Sequence, residues 1–180
     1  GESFYAIEKK PKTGRVQRLA KMKRYNSYEQ DSRGSATEDY RIIEKNILER
    51  NKKGKRLGKA ARKFEQFKVY GNKKSNNVVL FWGSTKGAVL DSIQGLNVKA
   101  VQILYLEPFP EQVRKEIVDK NLILVENNAT GQLGDLVRGK TGIEIENKNK
   151  ILKSNGRPFL ADELRNEIEK RIKKKGENSK

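Results

Sequence analysis

The sequence contains no cysteine and no histidine among its 180 residues. Without cysteine, the chain cannot form a disulfide, ligate an iron–sulfur cluster through thiolates or use a thiol nucleophile. Without histidine, it lacks the commonest metal ligand and the commonest general base of enzymes. Zinc hydrolases and enzymes with Ser-His-Asp or Cys-His sites are therefore excluded for this chain alone.

Long apolar runs are also scarce. The longest, Val78–Trp82, has five residues, whereas a helix needs about 20 to span a bilayer. Residues 1–8 lack the basic-then-apolar layout of a signal peptide. These features predict a soluble cytoplasmic protein without a membrane segment.

Positive charge dominates the composition, but it is unevenly distributed. The chain has 40 Lys and Arg against 23 Asp and Glu, a net charge of +17. Residues 1–76 carry a net charge of +13, residues 77–148 of −1 and residues 149–180 of +5. The sequence therefore predicts a neutral globular core between two basic flanks.

Periodicity divides the chain into three predicted parts. Residues 1–24 show no sustained period, and the stretch that follows is polar and rich in Ser, Gly and carboxylates, as in loops. The predicted parts are an irregular basic arm and polar loop (1–36), a basic amphipathic helical segment (37–76) and an α/β domain with a basic C-terminal helix (77–180).

The helical segment is predicted to begin near Thr37, whose hydroxyl can accept a free backbone N–H of the first turn. Apolar residues then recur at helical spacing: Ile43, Ile47, Leu57, Ala61, Phe64 and Phe67. Gly54 and Gly58 each destabilise a helix by roughly 1 kcal/mol. One long helix and two helices with a break at residues 52–57 are therefore both consistent with the pattern.

Charge in this segment permits two interpretations. Residues 41–74 contain 13 basic and 3 acidic residues, and the tail at 170–175 is also basic. Such segments bind nucleic acid through counterion release, or they form the solvated face of a packed amphipathic helix. No nucleic-acid-binding motif accompanies the charge, so a nucleic-acid-binding module is the alternative hypothesis and not the favoured one.

From residue 77 onward, strand patterns and helix patterns alternate. Predicted strands are 78–82, 99–106, 122–125 and 143–146, and predicted helices follow around residues 89–96, 111–120, 133–137 and 161–175. Alternation with short connections predicts an α/β fold, a three-layer α/β/α sandwich with a mostly parallel sheet. Ligands and partners of such sheets meet the carboxyl ends of the strands. Three polar turns lie at those ends: 83–87, 107–110 and 126–131.

The turn Gly83–Gly87 has the composition of an anion cradle. Its glycines allow close backbone approach, Ser84 and Thr85 offer hydroxyls, and Lys86 supplies charge at a helix N-terminus. The spacing matches neither a Walker loop nor a dinucleotide fingerprint. An ordinary helix cap is nevertheless the favoured interpretation of this turn, and a small anion-binding enzyme that uses Lys86 and Glu126 is the least favoured function.

The turn Glu126–Gln132 concentrates hydrogen-bonding side chains at one strand end. Glu126 is followed by the amides of Asn127 and Asn128 and, at the end of the turn, Gln132. A buried carboxylate between amides is unfavourable unless each polar group has a partner. The partner is a ligand, a neighbouring subunit or loops of the same domain, and the residues alone do not choose among them.

Several motifs together resemble one enzyme family. They are Trp82–Gly87, Pro108–Pro110, Glu126–Leu133 and Gly156–Phe159, preceded by Glu29–Gly34, Thr37–Asp39 and Val69–Gly71. Their order and approximate spacing resemble the C-terminal domain of the alpha subunit of 2-oxoacid:ferredoxin oxidoreductases, over roughly residues 22–170. Gln30 and Ser32 stand where the family usually has His and Glu. Of that loop only Asp31 is carried over as a candidate, and Arg157 joins it from the last motif.

The resemblance implies a domain with the fold of the transketolase C-terminal domain. It also implies an enzyme that converts a 2-oxoacid and coenzyme A to acyl-CoA and CO2 with reduction of ferredoxin. Thiamine diphosphate, Mg2+ and an iron–sulfur cluster belong to that complete enzyme. The family's motifs for binding them are absent here, so we expect this chain to bind no cofactor and to be inactive alone. Its expected partners are the beta subunit, the other alpha-subunit domains and, for the complex, ferredoxin.

Overall fold

The computed structural model describes residues 27–177, with side chains up to residue 172. The predicted arm at 1–24 and the lysine side chains at 173–175 lie outside the described residues. The chain divides into two compact units, residues 1–58 and residues 59–180.

A single helix, α1 (Tyr40–Ala61), dominates the described part of the first unit and ends just inside the second. Asp39 caps it, because its carboxylate accepts the backbone N–H of Arg41 at 2.9 Å. The hydroxyl of Thr37 accepts the N–H of Asp39 instead, at 3.2 Å, so the helix begins later than predicted. It continues through Gly54 without a break, which decides between the two predicted arrangements.

The second unit is built on a five-stranded sheet. Its strands are β1 (Phe67–Gly71), β2 (Asn77–Trp82), β3 (Lys99–Ile103), β4 (Asn121–Glu126) and β5 (Lys150–Leu152). Their order across the sheet is β1-β3-β2-β4-β5. The β3-β2-β4-β5 pairs are parallel, and β1 pairs antiparallel with β3. The predicted α/β fold with a mostly parallel sheet is confirmed.

Helices cover both faces of this sheet. They are α2 (Lys86–Ser92), α3 (Arg114–Ile117), α4 (Gln132–Thr141) and α5 (Ala161–Glu177), with short 3-10 turns at Gly83–Thr85, Glu111–Val113 and Asn147–Asn149. Alternate residues of β2 point to opposite faces, as strand geometry requires. Val78 and Leu80 pack with Ile117 of α3 and with Leu133 and Val137 of α4. On the opposite face, Val79 and Phe81 pack with residues of α2 and α5, namely Val89, Leu164 and Ile168.

Part of the predicted helical segment 37–76 is a strand, so that prediction is wrong beyond Ala61. β1 forms the antiparallel edge of the sheet, with Phe67 opposite Ile103. Phe67 and Val69 pack against one sheet face and Tyr70 against the other, the two-residue period of a strand. The basic stretch 41–74 is therefore not one continuous helix.

Three further predictions about elements need correction. The predicted strand 143–146 is irregular, and the fifth strand is instead Lys150–Leu152, paired with the end of β4. The third strand stops at Ile103 rather than at residue 106. The predicted helix 111–120 is a 3-10 turn followed by the short α3.

Within the described residues 27–177, no helix combines the length and apolar character needed to cross a membrane.

Candidate functional site at the carboxyl edge of the sheet

Two polar turns meet at the carboxyl edge of the sheet. β2 and β4 are parallel neighbours, with Phe81 opposite Val125, and they end one residue later at Trp82 and Glu126. The turns 83–87 and 126–132 therefore lie side by side, as the sequence predicts. β3 ends on the other side of β2 and leads toward the turn 107–110.

Glu126 is fully buried and is the centre of a hydrogen-bond network. Its Oε1 accepts the indole Nε1–H of Trp82 at 3.0 Å and the Nδ2–H of Asn128 at 2.8 Å. The backbone N–H of Leu133, at the start of α4, lies 3.1 Å from Oε1 and 3.0 Å from Oε2. One carboxylate therefore joins the end of β2, its own turn and the beginning of α4.

This network identifies what satisfies the buried carboxylate. The sequence leaves three possible partners for this carboxylate: a ligand, a neighbouring subunit or loops of the same domain. The structure shows that loops of the same domain are its partners. Asn128 extends the network, because its Oδ1 accepts the backbone N–H of Thr130 at 3.1 Å and that of Gly131. Through these bonds Glu126 connects the two turns at this edge, and its side chain is fully buried.

An open cleft of about 580 Å³ lies beside this network. Its lining includes five of the predicted site residues: Ser84, Thr85, Asn127, Asn128 and Arg157. Lys86, Gln132 and Asp31 do not line it. The structure thus brings together residues that are up to 73 positions apart, counting from Ser84 to Arg157.

The anion cradle, the less favoured interpretation of the turn 83–87, is only partly present. The buried hydroxyl of Thr85 donates to the backbone carbonyl of Trp82 at 2.8 Å and so stabilises the turn. The ammonium of Lys86 lies 5.8 Å from the ring centroid of Tyr70, within the range of a cation–π contact. Ser84 remains exposed on the cleft. The hydroxyl and the charge that were expected to bind an anion together are thus engaged elsewhere.

The third wall of the cleft is the loop after β5, residues 153–159. Asn127 Nδ2 donates to the carbonyl of Arg157 at 3.4 Å, which connects this loop to the turn after β4. Lys153 forms an ion pair with Glu163 at 3.0 Å and lies 5.6 Å from the ring centroid of Phe159. Lys153 is not among the predicted site residues, and Phe159 enters the prediction only as the last residue of the motif Gly156–Phe159.

Asp31 belongs to the first unit and closes a local turn there. Its Oδ1 accepts the backbone N–H groups of Arg33 and Ser35, each at 2.9 Å. These bonds, that from Ser35 above all, lower the pKa of Asp31 below its usual value. Next to it, hydrogen bonds from Arg50 and then Asn46 lower the pKa of Glu29.

The donor groups of this chain do not fit the metal centres that the resemblance implies. An iron–sulfur cluster needs thiolates, and the sequence has no cysteine. Among the described residues, no three His, Cys, Asp or Glu side chains come together as a metal site. We therefore assign neither a cluster nor a metal to the residues that the structure describes.

The sequence is similar to alpha subunits of 2-oxoacid:ferredoxin oxidoreductases. The alpha subunit of a 2-oxoacid:ferredoxin oxidoreductase from Saccharolobus solfataricus is 35% identical over 160 residues, covering 85% of this chain and 25% of that subunit. The alpha subunit of 2-oxoacid:ferredoxin oxidoreductase 1 from Sulfurisphaera tokodaii is 32% identical, covering 83% of this chain and 24% of that subunit. The chain therefore spans about a quarter of the length of these relatives. No protein-family model matches it.

A solved structure resembles the fold. It is the 2-oxoglutarate:ferredoxin oxidoreductase from Magnetococcus marinus with 2-oxoglutarate, coenzyme A and succinyl-CoA bound. The TM-score is 0.64 at 22% identity, covering 94% of this chain and 30% of that chain. This likeness supports the architecture of the sheet and helices.

Proposed function

Because the chain belongs to the family of 2-oxoacid:ferredoxin oxidoreductase alpha subunits, we propose that it is an assembly domain of such an enzyme. In this role it holds other parts of the oxidoreductase in place through the carboxyl edge of its sheet. The reacting groups then come from the rest of the enzyme.

The reaction that we propose for the complete enzyme is an oxidative decarboxylation. The bond between the carboxylate carbon and the carbonyl carbon of a 2-oxoacid breaks and releases CO2. The acyl group forms a thioester with the sulfur of coenzyme A, the thiol proton is released, and two electrons reduce two ferredoxins. When bound, thiamine diphosphate with Mg2+ and an iron–sulfur cluster supply the decarboxylation and electron-transfer chemistry, and we place them in the beta subunit and the remaining alpha-subunit domains.

The observation that carries this proposal is the combination of a rigid edge with an open cleft. Glu126 fixes the ends of β2 and β4 and the start of α4 through buried hydrogen bonds. Beside these bonds, the cleft presents exposed hydrogen-bonding groups on Ser84, Asn127 and Arg157. A surface with a hydrogen-bonded backbone and exposed polar side chains is suited to docking against another folded part.

Apolar groups next to the cleft support the same interpretation. Trp82 keeps 36% of its surface exposed and Leu104 keeps 40%, although both lie at strand ends of the same edge. Large side chains with one polar group, such as Trp, are frequent at the centre of protein interfaces. Docking at this edge buries the indole and leaves its N–H bonded to Glu126.

Arg157 provides the sharpest test of this docking surface. Its side chain is exposed and forms no ion pair among the described residues. We expect Arg157→Glu to reduce the amount of beta subunit that copurifies with the enzyme at least tenfold, without changing the circular dichroism of the chain. Arg138→Glu is the matched control, because Arg138 is exposed on α4 and does not line the cleft.

Two results would count against the proposal. One is full recovery of the beta subunit with Arg157→Glu, and the other is an equal loss with Arg157→Glu and Arg138→Glu. Calorimetry of the chain alone with thiamine diphosphate and Mg2+ adds an independent check. We expect no heat of binding, and tight Mg2+-dependent binding would show that the chain contains a cofactor site of its own.

A further inference from the structure

The first unit presents a dense row of positive charge on one side of α1. In the part of α1 that belongs to the first unit, at about 100° per residue, five cations fall within an arc of about 100° and extend over about 22 Å of helix. These residues, which we call the basic face of α1, are Arg41, Lys45, Lys52, Lys55 and Arg56. All five are exposed.

Negative charge does little to neutralise this face. Glu44 and Glu49 border it on either side, by the same helical geometry. Glu49 is held by Lys52 at 2.9 Å, and this hydrogen bond is the largest cause of its lowered pKa. The face therefore keeps a net positive charge that a partner can complement.

An exposed leucine lies in the middle of the cations. Leu48 is 53% exposed, and its helical neighbours at three and four positions include Lys45 and Lys52. An apolar centre inside a charged rim is the usual layout of a protein interface. Phosphate backbones offer no apolar pocket. The aromatic side chain next to this face, Tyr40, is already in contact with Arg41, whose guanidinium lies 5.5 Å from the ring centroid.

The balance of charge and apolar area indicates a short-lived complex. Five cations favour rapid, salt-sensitive association, while a single leucine buries too little surface for a permanent one. Small interfaces of this kind are typical of electron-transfer partners.

We infer that the basic face of α1 is a docking surface for an acidic protein partner. This step rests on the proposed function, in which ferredoxin is the electron acceptor. Ferredoxin is therefore the partner that we assign to this surface. The inference requires an acidic surface with a small apolar patch on that protein.

Binding of ferredoxin to the full chain tests this assignment. The chain is titrated with ferredoxin of Saccharolobus solfataricus at 25 mM and 300 mM NaCl. Lys45→Glu combined with Lys55→Glu is expected to raise Kd at least tenfold at low salt. Lys73→Glu combined with Lys74→Glu makes the same change in net charge at exposed lysines of the second unit and is expected to raise Kd less than threefold.

Leu48→Ser separates protein docking from nucleic-acid binding. We expect Leu48→Ser to raise the Kd for ferredoxin about fivefold. A labelled 30-nucleotide single-stranded DNA is titrated in parallel with each variant. Three results would each overturn the inference. They are the absence of salt-sensitive ferredoxin binding, equal effects of the two double variants, and DNA binding that is tighter than ferredoxin binding and is unchanged by Leu48→Ser. Circular dichroism confirms that each variant keeps α1.

Copurification of the beta subunit distinguishes this inference from the proposed function. We expect the Lys45 and Lys55 double variant to retain the beta subunit. If the unmodified protein retains the beta subunit but does not bind ferredoxin, only the docking surface is overturned. Loss of assembly in the unmodified protein contradicts the proposed function itself.

Discussion

The indole Nε1 of Trp82, at the end of β2, donates a 3.0 Å hydrogen bond to Oε1 of Glu126, at the end of the adjacent strand β4. The two residues are 44 positions apart in the chain. Their bond connects the two turns that form the candidate site.

Removal of the buried carboxylate should loosen this surface. Glu126→Ala leaves the donors of Trp82, Asn128 and Leu133 without their acceptor. We expect it to lower the free energy of unfolding by roughly 2–4 kcal/mol. Urea unfolding measures this change, and a red shift in the emission of Trp82, the single tryptophan, reports the lost bond. Exposed Glu146→Ala is the control, and equal destabilisation by both variants would contradict the network.

Acid should release the loop before α1. Because the hydrogen bond from Arg50 lowers the pKa of Glu29 below its ordinary value of 4.5, the ionised form of Glu29 is favoured by folding. Its stabilising contribution is therefore complete above about pH 4.5 and is lost as the pH falls through the lowered pKa. Carbon-13 NMR of the Glu29 carboxyl, together with exchange of the Thr37 amide that is bonded to the Glu29 carbonyl, measures this loss. After correction for the intrinsic pH dependence of amide exchange, Glu29→Gln should reduce the loss of protection of that amide below pH 4.5, and the remainder belongs to Asp31, whose pKa is also lowered. An unchanged loss of protection in Glu29→Gln would contradict the role of Glu29.

Two glycines should respond to alanine in opposite directions. Gly71 has a φ of +69°, and an added Cβ would lie 2.5 Å from the carbonyl oxygen of Val98. We expect Gly71→Ala to destabilise the protein by about 2 kcal/mol or more. Gly54 lies inside α1 with open space around it, so Gly54→Ala should stabilise the helix by about 0.5–1 kcal/mol. Thermal unfolding of both variants checks this, and a shift of the same sign in both would be incompatible with these backbone conformations.

The buried ammonium of Lys99 should depend on one carboxylate. Its side chain is 5% exposed and pairs with Glu116 at 3.1 Å. Glu116→Ala leaves this charge unpaired, and we expect a loss of about 1–3 kcal/mol because Glu116 is itself about one-third exposed. Lys99→Met in the Glu116→Ala background should recover most of that loss. A double-mutant cycle with no coupling between the two positions would refute the pairing.

The sequence predicts the centre of the sheet better than its edges, for a physical reason. β2 and β4 are buried on both faces, so their apolar runs identify them directly. β1 and β5 are edge strands with mixed composition. In β1, Phe67 lies three positions after Phe64, a spacing that also suits a helix, and only the pairing with β3 identifies the strand.

For the candidate site, the sequence predicts where the two turns lie but not which groups their side chains contact. Polar residues after apolar strands indicate the carboxyl edge, and the structure confirms that the turns are adjacent. The contact of Lys86 with Tyr70 depends on the unexpected strand β1. The bond from Asn127 to the carbonyl of Arg157 likewise depends on the position of β5. Both need tertiary contacts that no local pattern contains.

Amide hydrogen exchange in the assembled oxidoreductase tests the central claim most directly, namely that this domain docks through the carboxyl edge of its sheet. Exchange of peptides covering residues 82–88, 127–131 and 153–159 is compared between the free chain and the purified complex. We expect at least tenfold slower exchange in the complex at these three segments, with little change in the peptide over Lys73 and Lys74. Unchanged exchange at all three segments in an active complex would contradict it.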